Sequence, residues 1–247
     1  MTVMNASTYP SLGPQAFVRM HKGTESQCDT GANKSLVNGS PELAALLKSG
    51  KVWRAEGPTQ FAATATGHSR LDAWLPGGGW PRAALSEVLH AEPGTGELGL
   101  ALPLLAQLTA RQQHIAFVNP PLVPYAPGLL QRGVALDYVL VVQPQAAGKN
   151  AGSLPSESLW TSEQLLRSGY AAVLVWADAA SPQALRRLQL TAEESGGHAL
   201  LFRSLKRAAE FSPAALRLVV RREPQGTQVQ VLKSRGSSSS RPIALAA

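Results

Sequence analysis

The stretch whose residue types and spacing come nearest to doing chemistry is Ala91-Glu92-Pro93-Gly94-Thr95-Gly96-Glu97-Leu98. It stands between an apolar run, Leu85 to Leu89, and a helical pattern from Leu98 to Gln113. That is the strand, glycine turn and helix setting in which backbone N–H groups wrap a phosphate. A working loop of the form G-x-x-x-x-G-K-[ST] adds a lysine that neutralises the phosphates and a hydroxyl that ligates magnesium. Here Gly96 is in register, but Ala91, Glu97 and Leu98 take the positions of the first glycine, the lysine and the hydroxyl residue. Glu97 sets a carboxylate where a triphosphate would lie. Two unit charges about 4 Å apart interact by roughly 4 kcal/mol at an effective dielectric of roughly 20, so reversing one sign moves the balance by about twice that. The same carboxylate suits a helix start, where it complements the macrodipole. The expectation is a relic loop that binds no nucleotide cofactor.

Other chemistry finds little support. Cys28 is the single cysteine and can form neither an internal disulfide nor a zinc-ligand pair. The five histidines show no metal spacing. Gly67-His68-Ser69-Arg70-Leu71 lacks the second glycine of a nucleophile elbow. The five tryptophans are dispersed and read as packing residues. The formal charge of +7 is concentrated at the end: from Leu201 onward nine Lys or Arg face only Glu210 and Glu223. Such a segment permits weak, non-specific attraction to DNA phosphates. No apolar run approaches the roughly 20 residues needed to cross a bilayer, and the start does not read as a secretory signal. A cytoplasmic, membrane-free protein is expected.

The elements that must position the loop follow from periodicity. Strands are predicted over Leu85–Leu89, Ile115–Val118, Val139–Val142, Ala172–Trp176 and Leu200–Phe202, and helices over Leu98–Gln113, Tyr125–Arg132, Ser156–Ser168 and Pro182–Ser195. Their alternation predicts an α/β fold with a mainly parallel twisted sheet flanked by helices. Leu216–Arg221 and Thr227–Leu232, joined through Pro224, Gln225 and Gly226, predict a C-terminal antiparallel hairpin. Residues 1–40 read as a disordered extension, 41–65 as a short docking helix (Pro41 to Trp53) and linker, 66–235 as the domain and 236–247 as a flexible tail.

From Thr66 onward the order of features resembles the RecA ATPase core. Leu71, Asp72, Gly78, Gly79 and Pro81 match the entry to its first core strand. The run from His114 to Pro121 resembles the strand that precedes the catalytic glutamate, with Asn119, Pro120 and Pro121 in its place. The run from Tyr170 to Pro182 resembles the Walker B strand, with Ala177 at the aspartate position and Asp178 one residue late. The connections that correspond to the DNA-binding loops, Ala179 to Pro182 and Ser204 to Pro213, are short. Lys233 and Arg235 match basic positions that reach a neighbouring subunit's nucleotide.

Within RecA relatives, Leu75–Leu85, Glu92–Leu98, Pro120–Pro127 and Ala184–Gly196 together resemble the ImuA family of translesion DNA synthesis-associated proteins. That resemblance implies DNA-damage (SOS) induction, nucleoid association during damage, and a non-enzymatic adaptor role. The implied partners are an inactive Y-family polymerase relative (ImuB) and the error-prone polymerase DnaE2, with RecA as a further candidate partner and a homo-oligomer left open. Pro121, Tyr125, Arg221, Arg222, Lys233 and Arg235 are the candidate interaction residues. Two alternatives remain open: an inhibitor of cell division like SulA, and a DNA-dependent ATPase with a rewired site.

Overall fold

Short β-branched runs bury on both faces only if helices cover both sides of the sheet they form, and the chain folds that way. The computed structural model describes residues 62–144, 154–224, 226–235 and 242–245, all of them within the compact unit Leu47–Ala247. Cys28 and the helix expected over Pro41 to Trp53 lie outside the described residues. In chain order the elements are β1 (Ala63–Thr64), α1 (Ser69–Asp72), β2 (Trp80–Pro81), β3 (Ala84–His90), α2 (Glu97–Ala110), β4 (Ile115–Val118), α3 (Ala126–Gln131) and β5 (Val139–Val142). There follow α4 (Leu154–Arg167), β6 (Ala172–Trp176), α5 (Pro182–Ser195), β7 (His198–Ser204), β8 (Leu216–Glu223), β9 (Gly226–Ser234) and β10 (Pro242–Leu245).

Eight strands form one mixed sheet in the order β10-β9-β8-β3-β7-β6-β4-β5. The six from β8 to β5 are parallel, and β9 and β10 run antiparallel at one edge. The protein is therefore α/β, with a mostly parallel sheet, flanking helices and a C-terminal antiparallel pair. Alternation along each strand divides the core. Val88, Phe117, Leu174 and Phe202 join the apolar face of α2 (Leu100, Leu104, Leu105, Leu108). On the other face Leu85, Ala116, Val175 and Leu201 join Leu159 and Leu166 of α4 and Leu185, Leu188 and Ala192 of α5. Ser181 caps α5, accepting from Ala184 N–H, and Gly196 at φ 75° ends it.

At the two ends of the domain the structure departs from expectation by whole strands. The tail expected to be flexible over 236–247 holds β10, whose Pro242–Leu245 pair with Gln230–Thr227 of β9. Ile243 and Leu245 alternate into the core and repay the ordering of the strand. The linker expected over 41–65 ends in β1, which pairs with β2.

Candidate functional site

The glycine loop leaves the sheet at its carboxyl-terminal edge, where open α/β sheets place ligands. β3 ends at His90, and the loop turns into α2 at Gly96, whose φ of 104° is left-handed. A Cβ on Gly96 would come to 3.0 Å from Thr227 Oγ1 of β9, so the β8–β9 hairpin closes against the loop. α2 begins at Glu97, the helix start that the sequence suggested. Glu97 is only 3% exposed, and its carboxylate folds back on the loop. Oε1 accepts from Gly94 N–H at 2.7 Å and Oε2 from the Thr95 hydroxyl at 3.4 Å. A backbone donor of the kind that cradles phosphate therefore points at an internal anion, in a charge-assisted bond. Leu98, at the hydroxyl position, packs against the α2-side core, and Ala91 is exposed.

The neighbouring strand ends are equally occupied. Ala177 packs in the α4/α5-side core, whereas Trp176, one residue earlier, packs on the α2 side. A strand-end carboxylate serving a ligand at this loop would have to stand at 176, since side chains alternate. Trp176 instead stacks on Phe202 (centroids 4.5 Å apart) and Phe117 (6.2 Å). Asn119, at φ 53°, a conformation asparagine tolerates, donates Nδ2 to the Trp176 carbonyl at 3.0 Å and ties β4 to β6.

Asp178 belongs to an ionic network on the opposite face. Glu87, in the middle of β3, is fully buried between Arg203 of β7 (Oε1, 3.0 Å) and Arg217 of β8 (Oε2, 2.6 Å). Arg203 also bonds the Asp178 carbonyl and the Glu210 carboxylate. Arg217 bonds the carbonyls of Arg207, Ala208 and Glu210. Together they staple the β7–β8 connection onto the sheet, in the position where the resemblance would put a DNA-binding loop. The Asp178 carboxylate accepts from Ser204 N–H (2.8 Å) and from Arg207. Partial burial pushes its pKa up, but those two donors outweigh it and hold it below the usual carboxylate range. Glu210 is held low first by its hydrogen bond from Arg207. The signal for this network is visible in the sequence: Glu87, Arg203 and Arg217 each interrupt an apolar strand, and a charge there must be paired.

The proline loop leaves the same edge from the next strand in sequence, β4. Gln143 Nε2 donates to the Pro120 carbonyl at 2.9 Å and fixes its start. Leu122, Val123 and Tyr125 are 75%, 78% and 74% exposed, and Pro121 is exposed beside them. Leu130 of α3 and Leu140 and Val141 of β5 add further exposed apolar surface in the following stretch. Pro121 and Tyr125 are among the residues the sequence singles out, whereas Leu122 and Val123, a short apolar pair, carry no periodic signal that would mark them as exposed. Of the basic candidates, Lys233 donates to the Ser212 carbonyl at 2.8 Å and Arg235 pairs with Glu193 at 3.4 Å, so both serve the fold. Burial first, then Arg217, lowers the Lys233 pKa. Arg221 and Arg222 are exposed at the end of β8.

Among the described residues no group of His, Cys, Asp and Glu is arranged to hold a metal ion, and no helix is long and apolar enough to cross a membrane. Set against protein-family models and curated proteins, the chain matches none.

Proposed function

We propose that the chain is a non-catalytic, RecA-like accessory protein of SOS-induced error-prone translesion DNA synthesis, as its resemblance to the ImuA family implies. It serves as an adaptor that holds an inactive Y-family polymerase relative (ImuB) and the error-prone polymerase DnaE2. The observation that carries the non-catalytic reading is the Glu97 carboxylate bonded to Gly94 N–H within its own loop. A nucleotide phosphate would have to displace that carboxylate from the Gly94 N–H and then face its like charge. Trp176 where a metal-supporting carboxylate is needed, and Asp178 spent on Ser204 and Arg207, support the same reading. The RecA-like part draws support from the glycine-loop strand lying inside a parallel sheet that ends in an antiparallel hairpin.

The contact surface in this reading is the proline loop. Apolar side chains held out on a stiff, anchored loop cost little further ordering on binding, which favours a docking role. Co-purification of the full chain with the inactive polymerase relative tests the proposal. A complex that survives moderate salt and is lost in a Leu122→Asp/Val123→Asp variant is expected. Absence of any association across buffers sinks the adaptor role.

A further inference from the structure

At the opposite edge of the sheet, where the parallel strands begin, lies a cleft of about 370 Å³. Its walls are β1, Arg82 ahead of β3, the last turn of α2 with Arg111 and Gln113, and the turns that lead into β6 and β7, ending at His198. Among the described residues no Asp or Glu lines it. Arg82 and Arg111 are exposed, and neither guanidinium has an ion-pair or hydrogen-bond partner among the described residues. Arg187, Arg203, Arg207, Arg217 and Arg235 are each committed to a carboxylate, and what sets Arg82 and Arg111 apart from other exposed arginines such as Arg186, Arg221 and Arg222 is that both line one cleft. His198 closes the floor as a neutral ring, its Nε2 3.3 Å from Thr64 Oγ1, with burial first and Arg82 second pushing its pKa down to about 4. The two guanidinium groups therefore set the charge of the cleft at neutral pH.

We propose that this cleft binds a phosphate-bearing anion between the guanidinium groups of Arg82 and Arg111. A guanidinium fork matches phosphate oxygens bidentately, and two such forks match the charge of about −1.5 to −2 on a phosphate monoester. The volume lies in the range of small-ligand sites, about 300–1,000 Å³. The helix ends oppose the anion: α2, α4 and α5 all terminate at this edge, each with a partial negative charge of about half a unit. Backbone dipoles thus contribute nothing favourable here, and the affinity depends on the two side chains. That dependence sets this site apart from a phosphate loop and makes it independent of the adaptor reading.

The test is a titration of the full chain with inorganic phosphate, followed by NMR of the His198 ring. Saturable movement of its signals is expected, weakened on the order of tenfold or more in Arg82→Gln and in Arg111→Gln. Arg186→Gln, at an exposed position on α5 outside the cleft, is expected to bind as the unaltered protein does. A 5′-phosphorylated oligonucleotide that binds with the same dependence on Arg82 and Arg111, while its unphosphorylated twin does not, assigns the phosphate to a nucleic-acid end. Binding of phosphate without the oligonucleotide assigns it to a small phosphorylated ligand. No saturable response of His198, or equal weakening by Arg186→Gln, overturns the proposal. The phosphate titration of the unaltered protein decides it even if a variant fails to fold.

Discussion

Two strand-to-helix connections leave the same edge of the sheet, and they treat their functional groups in opposite ways. The glycine loop after β3 keeps the outline of a ligand site, yet its donor is satisfied from within by Glu97 and its flank is closed by Thr227. The proline loop after β4 carries no ligand motif, yet it holds Leu122, Val123 and Tyr125 in solvent at the cost of apolar exposure. Around the first, charge has been spent on the fold, as in the network of Glu87, Arg203 and Arg217. Around the second, apolar surface has been left over. A fold can lose a ligand site and still be retained when part of its surface makes contacts, and the difference between these loops has the form that such a history would leave.

The comparison can be broken at its strongest point first. Glu87→Gln leaves two buried guanidinium groups without their shared anion, and unfolding free energy in urea is expected to fall by about 3–5 kcal/mol. A loss near zero would mean that the buried charges of Glu87, Arg203 and Arg217 do not hold the fold.

Next in size is a pH effect at the far edge. His198 has a folded pKa of about 4 against an ordinary 6.5, so between those values the unfolded chain binds more protons. Its contribution is complete above about pH 6.5, declines as the pH drops and is gone by about pH 4, a loss on the order of 3 kcal/mol. In His198→Gln that slope of stability with pH is expected to disappear. An unchanged slope would assign it to other groups.

Glu97→Gln keeps the shape of the loop but weakens the bond from Gly94, and a loss of about 1–3 kcal/mol is expected in thermal or urea unfolding. This variant sharpens the comparison because it separates two roles. If Glu97 only blocks ATP, its neutralisation stabilises the loop and creates nucleotide binding, whereas a structural Glu97 gives destabilisation and no binding.

The smallest expected effect on stability belongs to the proline loop. Leu122→Asp with Val123→Asp changes folding free energy by no more than about 0.5 kcal/mol, as exposed substitutions do, while under the proposed adaptor role it is expected to abolish capture of the inactive polymerase relative. A large loss of stability would show that these side chains serve the fold after all.

Much of the fold was legible in the sequence because the signals were local. The runs Ile115–Val118, Val139–Val142 and Ala172–Trp176 and the helix Pro182–Ser195 have the same bounds in the structure as in the sequence reading. Elements that depend on long-range pairing were missed. Ile243 and Leu245 alternate for only four residues, and β10 becomes a strand because β9 offers it an edge. At the site, Glu97 as a helix-start residue was legible from its position, but its hydrogen bond back to Gly94 depends on the turn geometry of the loop. That Trp176 and Ala177 face opposite sides of the sheet follows from strand alternation, but which of them turns toward α2 depends on the register of β6 in the sheet. The hydrogen bond by which Gln143 anchors the start of the loop spans 23 residues of sequence and has no local signal.

The most direct measurement of the central claim is a calorimetric titration of the unaltered full chain with ATP and magnesium. No saturable binding into the millimolar range is expected, because the loop already holds the carboxylate of Glu97. Micromolar binding, or hydrolysis abolished by altering Gly96 or Asp178, would contradict the account and return the glycine loop to use as a nucleotide site.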